Sequence, residues 1–167
     1  MTSEIISGNE CEVFLDAIVG YGEVKCVDVE KSIGTNGLYS CLGLILMDNR
    51  RVALAHIPSM NVFCIFRNYD ENIVSEKRTY EQLMNELFEI LNPINMLAVR
   101  ADIVGGTREN SSFRVEKIKK YLKDRGIRRV RKEKYNTSET ELNVYVLKGK
   151  ITTVKRKRPY SYGETSY

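Results

Sequence analysis

Hydrophobic and polar positions change their period several times along the chain, and each change marks an element. Residues 22–29, GEVKCVDV, alternate imperfectly: Val24 and Cys26 share one face, which Asp28 makes polar at its end, and Val27 and Val29 share the other. That pattern predicts a strand. Gly34-Thr35-Asn36-Gly37 reads as a turn that interrupts it. Residues 41–47 are a mostly apolar run too short for an average helix, so they predict a buried strand. Asp48-Asn49-Arg50 turns the chain into a second strand, Arg51–Ile57. Pairing around this turn brings Cys41, at the start of the first strand, beside His56, near the end of the second.

After Pro58, residues 61–66 predict another strand and 67–78 an exposed loop. Tyr80, Leu83, Met84, Leu87, Phe88 and Leu91 recur at three- and four-residue spacings, so 79–91 is expected to be helical. Thr79 is suited to cap it, with Gln82 completing a capping box, and Asn92-Pro93 ends it. The aromatic and methionine residues of that face read as core packing. Residues 95–104 predict a central strand closed by Gly105-Gly106. A second helix over 112–125 places Val115, Ile118, Tyr121 and Leu122 on one face, and Gly126 terminates it. Strands are expected at 128–134, 142–147 and 151–155, with Lys148-Gly149-Lys150 as a tight turn. The expectation is one α/β domain over 1–156, strand-rich, with mixed sheets, antiparallel hairpins and two principal helices. A flexible basic and tyrosine-containing tail follows over 157–167.

Composition narrows the class. A chain of 167 residues, 43% apolar and 29% charged, suits a globular protein with one real core. No apolar run approaches a membrane span, and the start, MTSEIISGNECEVF, lacks the basic-then-apolar order of a secretory signal. No membrane insertion is therefore expected, and the setting is expected to be cytoplasmic with reduced thiols; export as an effector by a specialised secretion system is the alternative. The cysteines, at 11, 26, 41 and 64, include no CxxC pair and have one histidine to assist them, so no metal site and no cofactor are expected. The net charge of +4 is concentrated at 125–134 and 155–158. Such patches can steer acidic partners. They carry no nucleic-acid motif and no interleaved aromatics, so solvated surface is the expectation and nucleic acid is not an expected partner.

With a single histidine, any acid–base chemistry near neutral pH falls on His56. Cys41 is the nucleophile best placed to pair with it. A thiol ordinarily titrates near about 8.5, so the imidazole can generate or stabilise the thiolate that attacks a carbonyl carbon. His56 would then protonate a leaving amine and activate water to hydrolyse the thioester. The Thr35 oxygen can accept a hydrogen bond from the far ring nitrogen and fix the tautomer, without the full charge of an aspartate. The Cys41 backbone N–H can form part of an oxyanion hole, with Ser40 as a further donor or as support for the turn. The competing reading is a satisfied core histidine. Cys26 and Cys64 read as small core residues, Asp48 as a loop former, and Gly105-Gly106 lacks the continuation of a phosphate loop.

The stretch Thr35-x-Gly37-Leu38-x-Ser40-Cys41, followed by an apolar strand, Asp48 and Ala55-His56, resembles the bacterial chemotaxis protein family CheD, the receptor glutamine deamidases. Downstream, Arg100-Ala101-Asp102-Ile103-Val104-Gly105-Gly106 resembles the family's strand ending in a glycine pair, and 113–122 with Gly126-Ile127 its next helix and turn. The likeness spans roughly 22–155, and its specific part is the Thr/Cys/His segment. It implies a CheD-like layered sandwich in which Cys41 is nucleophile, His56 general base and acid, and Thr35 orienter. The implied reaction hydrolyses a protein glutamine side-chain amide to glutamate and ammonia. The implied partner is a protein with an exposed glutamine, to which the basic surface adds a preference for acidic surroundings; chemoreceptors and a chemotaxis phosphatase are the family's own partners. Toxins that deamidate host proteins share the wider cysteine-hydrolase fold. Related thiol chemistry (peptide cleavage or amide transfer) and a noncatalytic binding module are the competing readings. The chain departs from the family at Tyr39, where glycine is usual, and at 135–140, where YNTSET replaces a glycine-rich segment.

Overall fold

The structure is a computed structural model, and it describes residues 4–8, 11–69, 72–137 and 140–157. In chain order the strands are β1 (Glu4–Gly8), β2 (Cys11–Leu15), β3 (Ala17–Ile18), β4 (Val24–Asp28), β5 (Ser32–Leu38), β6 (Leu42–Met47), β7 (Arg51–Ile57), β8 (Val62–Tyr69) and β9 (Asn72–Thr79). Helix α1 (Tyr80–Leu91), a 3-10 turn (Met96–Ala98), β10 (Arg100–Gly105), α2 (Arg108–Asp124), β11 (Arg129–Lys132), β12 (Thr140–Leu147) and β13 (Lys150–Lys157) follow.

This is a strand-rich α/β sandwich. A five-stranded sheet, ordered β11-β10-β6-β7-β4, lies in the middle, and a four-stranded sheet, β13-β12-β5-β3, covers one of its faces. The alternation of strand side chains divides the core in two. Leu44, Leu46, Ala53, Ala55 and Ile57 pack with α1 and α2 residues such as Leu83, Leu87, Val115 and Ile118. Ile45, Met47, Val52 and Leu54 pack with Ile33, Val144 and Val146 of the other sheet. Strand β6 is buried on both faces, which is why its sequence, LGLILM, is continuously apolar rather than alternating. Asp48 shapes the β6–β7 turn as a loop former: its Oδ1 accepts from the N–H groups of Arg50 and Arg51, each at 2.8 Å.

Several expectations needed correction. The 34–37 segment is not a turn but part of β5, hydrogen-bonded between β12 and β3. Its irregularity is a bulge opposite Leu142–Val144, where Gly37 adopts a φ of 69° and its N–H is taken by Asn143 Oδ1 at 3.1 Å. Residues 67–69 and 72–78 belong to the paired strands β8 and β9 rather than to a loop; Phe63 and Ile65 anchor the pair in the core while most of β9 faces outward. Cys64 faces outward on that hairpin and is not a core residue, whereas Cys26 packs against the helix-side core. The 95–104 strand begins only at Arg100, after the 3-10 turn. Helix α2 starts at Arg108, one turn earlier than its apolar spacing indicated, because Thr107 caps it. Lys157 closes β13, and the remainder of the expected tail lies outside the described residues.

Candidate active site

Two facts of register build the site. In the β6–β7 hairpin Gly43 pairs with His56 and Leu42 with Ile57, so the residue before Leu42 lies diagonally across from His56. His56 also follows the alternation of Val52 and Leu54, which turns its side chain toward the second sheet. Thr35 meets it there. Thr35 Oγ1 and His56 Nδ1 are 2.8 Å apart, and both residues are buried. Cys41 packs at the edge of the same inter-sheet cluster.

Hydrogen-bond accounting fixes the imidazole. Thr35 Oγ1 donates its only proton to the Val19 carbonyl at 2.7 Å. Toward Nδ1 it can therefore only accept, so Nδ1 carries the ring proton and Nε2 holds the lone pair. Nε2 is buried and has no hydrogen-bond partner among the described residues. Burial also pushes the His56 pKa down to about 4, so the ring is neutral at pH 7. The Tyr21 ring lies 5.8 Å from it, centroid to centroid.

Cys41 is a free, half-buried thiol. Burial raises its pKa, opposed first by the positive charge of Arg114 and then by hydrogen bonds from the Ser59 backbone N–H and the Ser40 hydroxyl. Ser40 thus supports the thiol directly, and its carbonyl fixes the turn by accepting from Ser111 Oγ at 3.2 Å. Gly105 and Gly106, with φ of 78° and 73°, explain the glycine pair. A Cβ on Gly105 would stand 2.7 Å from Leu38 Cβ and 3.0 Å from the Cys41 carbonyl oxygen; one on Gly106 would stand 2.6 Å from Ser111 Oγ. The glycines let α2 and the turn that carries Cys41 close on each other.

Thr35 and His56 are therefore brought into contact, and Cys41 and Ser40 stand at the same end of the hairpin. Three neighbours escaped the sequence reading. Tyr21 faces His56 from the turn before β4. Arg114 reaches the site from α2. Asn136 donates through Nδ2 to the carbonyls of Leu38 and Tyr39, the latter at 3.1 Å, while its own N–H binds the Gly106 carbonyl at 2.8 Å. Asn136 lies in the segment YNTSET, 135–140, and its side-chain amide was the one signal available there. A cavity of about 270 Å³, lined by Tyr39, Thr107, Arg108, Asn110 and Asn136 among others, opens beside this turn.

Much of the basic run at 125–134 is engaged internally. Arg125 stacks over Phe88 and Tyr121, Arg131 pairs with buried Asp102 at 2.7 Å, and Lys132 Nζ donates to the Gly105 carbonyl at 3.0 Å and sits over Tyr135. Among the described residues no helix is long and apolar enough to cross a membrane. No protein-family model matches the chain, and no curated protein matches it.

Proposed function

We propose that this chain is a protein-glutamine deamidase acting through Cys41, His56 and Thr35. The observation that carries the reading is the buried Thr35–His56 hydrogen bond, which leaves Nε2 without a hydrogen-bond partner among the described residues, on the sheet face shared with the Cys41 thiol. Buried polar atoms are ordinarily hydrogen-bonded, so an open Nε2 beside a thiol is consistent with a proton-accepting role.

The chemistry follows from these positions. Cys41 Sγ attacks the side-chain amide carbon and its proton passes to His56 Nε2. The tetrahedral oxygen takes hydrogen bonds from donors at the nucleophile turn, the Cys41 backbone N–H among them. His56 gives the proton to the leaving nitrogen, ammonia departs, and a thioester remains. His56 then takes a proton from water, the hydroxide oxygen adds to the thioester carbon, and Cys41 leaves with that proton as glutamate forms. Amide and water are consumed, and acid and ammonia are produced.

The substrate on this reading is a protein with an exposed glutamine. The outward-facing Arg108, Lys117 and Lys123 of α2, set against exposed Glu109 and Glu116 with Lys120 paired to Asp124, leave that surface only slightly basic and give a weak preference for an acidic setting. The resemblance to the receptor deamidases supports the mechanism and a cytoplasmic setting, where the thiol stays reduced, more than it supports a chemoreceptor as substrate, since the chain departs from the pattern at Tyr39 and 135–140. The deciding experiment compares intact-protein mass spectra of candidate partners after incubation with wild type, C41A and H56A. The mass gain of one deamidation, localised to a glutamine and accompanied by ammonia only with wild type, supports the reading. Chain cleavage or amine incorporation would instead assign related thiol chemistry. Absence of any product across a broad lysate, together with a Cys41 inert to thiol reagents, would favour a binding module.

A further inference from the structure

We propose that Arg114 positions Cys41 against His56 and supplies the positive charge that holds the Cys41 thiolate during attack. This inference rests on the thiol mechanism above.

The geometry is specific. Arg114 Nη1 donates to the Ser40 carbonyl at 3.3 Å, and Nη2 donates to the Ile57 carbonyl at 3.4 Å. Those carbonyls belong to the residue immediately before Cys41 and the residue immediately after His56. One planar fork thus spans the two strand ends that carry the nucleophile and the base, and a flexible ammonium cannot hold both with fixed spacing. The fork has a firm base. Val115 and Ile118 on the same helix are fully buried, and Ser111 one turn earlier bonds the Ser40 carbonyl as well.

The charge is unmatched at rest. Arg114 is half-buried, and among the described residues no carboxylate pairs with it. The groups around it are Cys41 in the bend just before β6, Tyr21 from the turn before β4, and Tyr80 from the first turn of α1. His56 faces the same site from β7. The tyrosines and His56 are neutral at pH 7, since burial raises both phenols and lowers the imidazole to about 4. A partly desolvated guanidinium without an anion is costly. Among the described residues, the neighbour able to become its counter-ion is the Cys41 thiolate. His56 accepts the proton but is too weakly basic to hold a resting imidazolium beside the sulfur, so the compensating charge comes from α2.

The test is the pH dependence of Cys41 alkylation by iodoacetamide on the full chain. Labelling is localised by peptide mass spectrometry, and folding is followed by thermal melting. The thiolate displaces iodide and needs no substrate, so the outcome stands whether or not a deamidation assay succeeds. Arg114→Gln is expected to move the midpoint up by about one pH unit, which slows labelling at neutral pH about tenfold. Arg114→Lys should restore the midpoint while failing to restore ammonia release, because charge returns without the fork. His56→Ala should leave the midpoint no higher than wild type. A folded R114Q whose profile superimposes on wild type would overturn the inference. So would an H56A midpoint raised by a unit, a result that remains readable even when R114Q does not fold.

Discussion

Thr35 Oγ1 lies 2.8 Å from His56 Nδ1 while giving its own proton to the Val19 carbonyl, so one hydroxyl decides which imidazole nitrogen is free. Because the chain holds a single histidine, nitrogen-15 spectra read that state without ambiguity. Wild type is expected as the Nδ1–H tautomer at pH 7. Thr35→Val keeps the shape and removes the acceptor, leaving a buried N–H unpaired at a cost of about 1–3 kcal/mol. It should also mix the tautomers and slow turnover by roughly 10- to 100-fold, less than loss of the base itself. Thr35→Ser should recover most of both. An Nε2–H tautomer in wild type would contradict the assignment.

Acid stability follows from the same ring. His56 is held neutral by burial, with its pKa falling from the ordinary 6.5 to about 4. Between those values the unfolded chain binds the proton that the folded chain refuses, so stability rises with pH there. The contribution is fully present above 6.5 and is lost as pH falls toward 4, about 3 kcal/mol in all. Asp16, held low by hydrogen bonds from Ser32, acts in a separate window below its ordinary 3.8. Urea midpoints at pH 7 and pH 4.5 should therefore diverge more for wild type than for His56→Gln. Equal pH slopes in the two proteins would mean that His56 is not buried neutral.

The parts of the fold legible in the sequence are those whose apolar pattern is unbroken, as a continuous run or as a clean helical period. The β6–β7 hairpin declared itself through an apolar run and Asp48, and α1 through its spacing and the Thr79 cap, realised here with Gln82 as a capping box. Strand β5 was hidden because Gly34, Asn36 and Gly37 carry turn chemistry. Its strand character comes from neighbours on both sides, a tertiary effect that overrides local propensity. The same hairpin register made Cys41 and His56 readable as neighbours, and Thr35 was readable as a candidate orienting oxygen, although no spacing rule placed it against the ring. Tyr21, Arg114 and Asn136 were not readable, since each joins the site across long stretches of sequence with no spacing rule.

Gly105 and Gly149 offer a matched pair for the glycine requirement. Their φ values, 78° and 71°, impose similar strain on any side chain. Their surroundings differ: a Cβ on Gly149 meets nothing closer than Met47 Sδ at 3.5 Å, whereas one on Gly105 runs into Leu38 and approaches the Cys41 carbonyl. Gly149→Ala should cost about 1–2 kcal/mol of backbone strain and leave turnover intact. Gly105→Ala should cost more and depress turnover as well, because relief of the clash displaces the nucleophile turn. Equal effects in chemical denaturation and in ammonia release would show that the close approach at Gly105 is unimportant.

Asn136 tests whether that turn needs its latch. Its side chain holds the Leu38 and Tyr39 carbonyls while its backbone is tied separately to Gly106. Asn136→Ala therefore removes the latch and leaves the strap in place, with a stability loss of about 1 kcal/mol. Nucleophile placement is less forgiving than stability, since displacements near 1 Å can cost about 100-fold in rate. Turnover of N136A should fall about tenfold, with alkylation of Cys41 retained because a small reagent needs no fixed approach. Asn136→Asp should fall further, as a carboxylate would face two carbonyl oxygens with no proton to donate. Wild-type turnover in N136A would mean that Ser111 and Arg114 hold the Ser40 carbonyl firmly enough by themselves, and that the segment 135–137 serves the fold rather than the thiol.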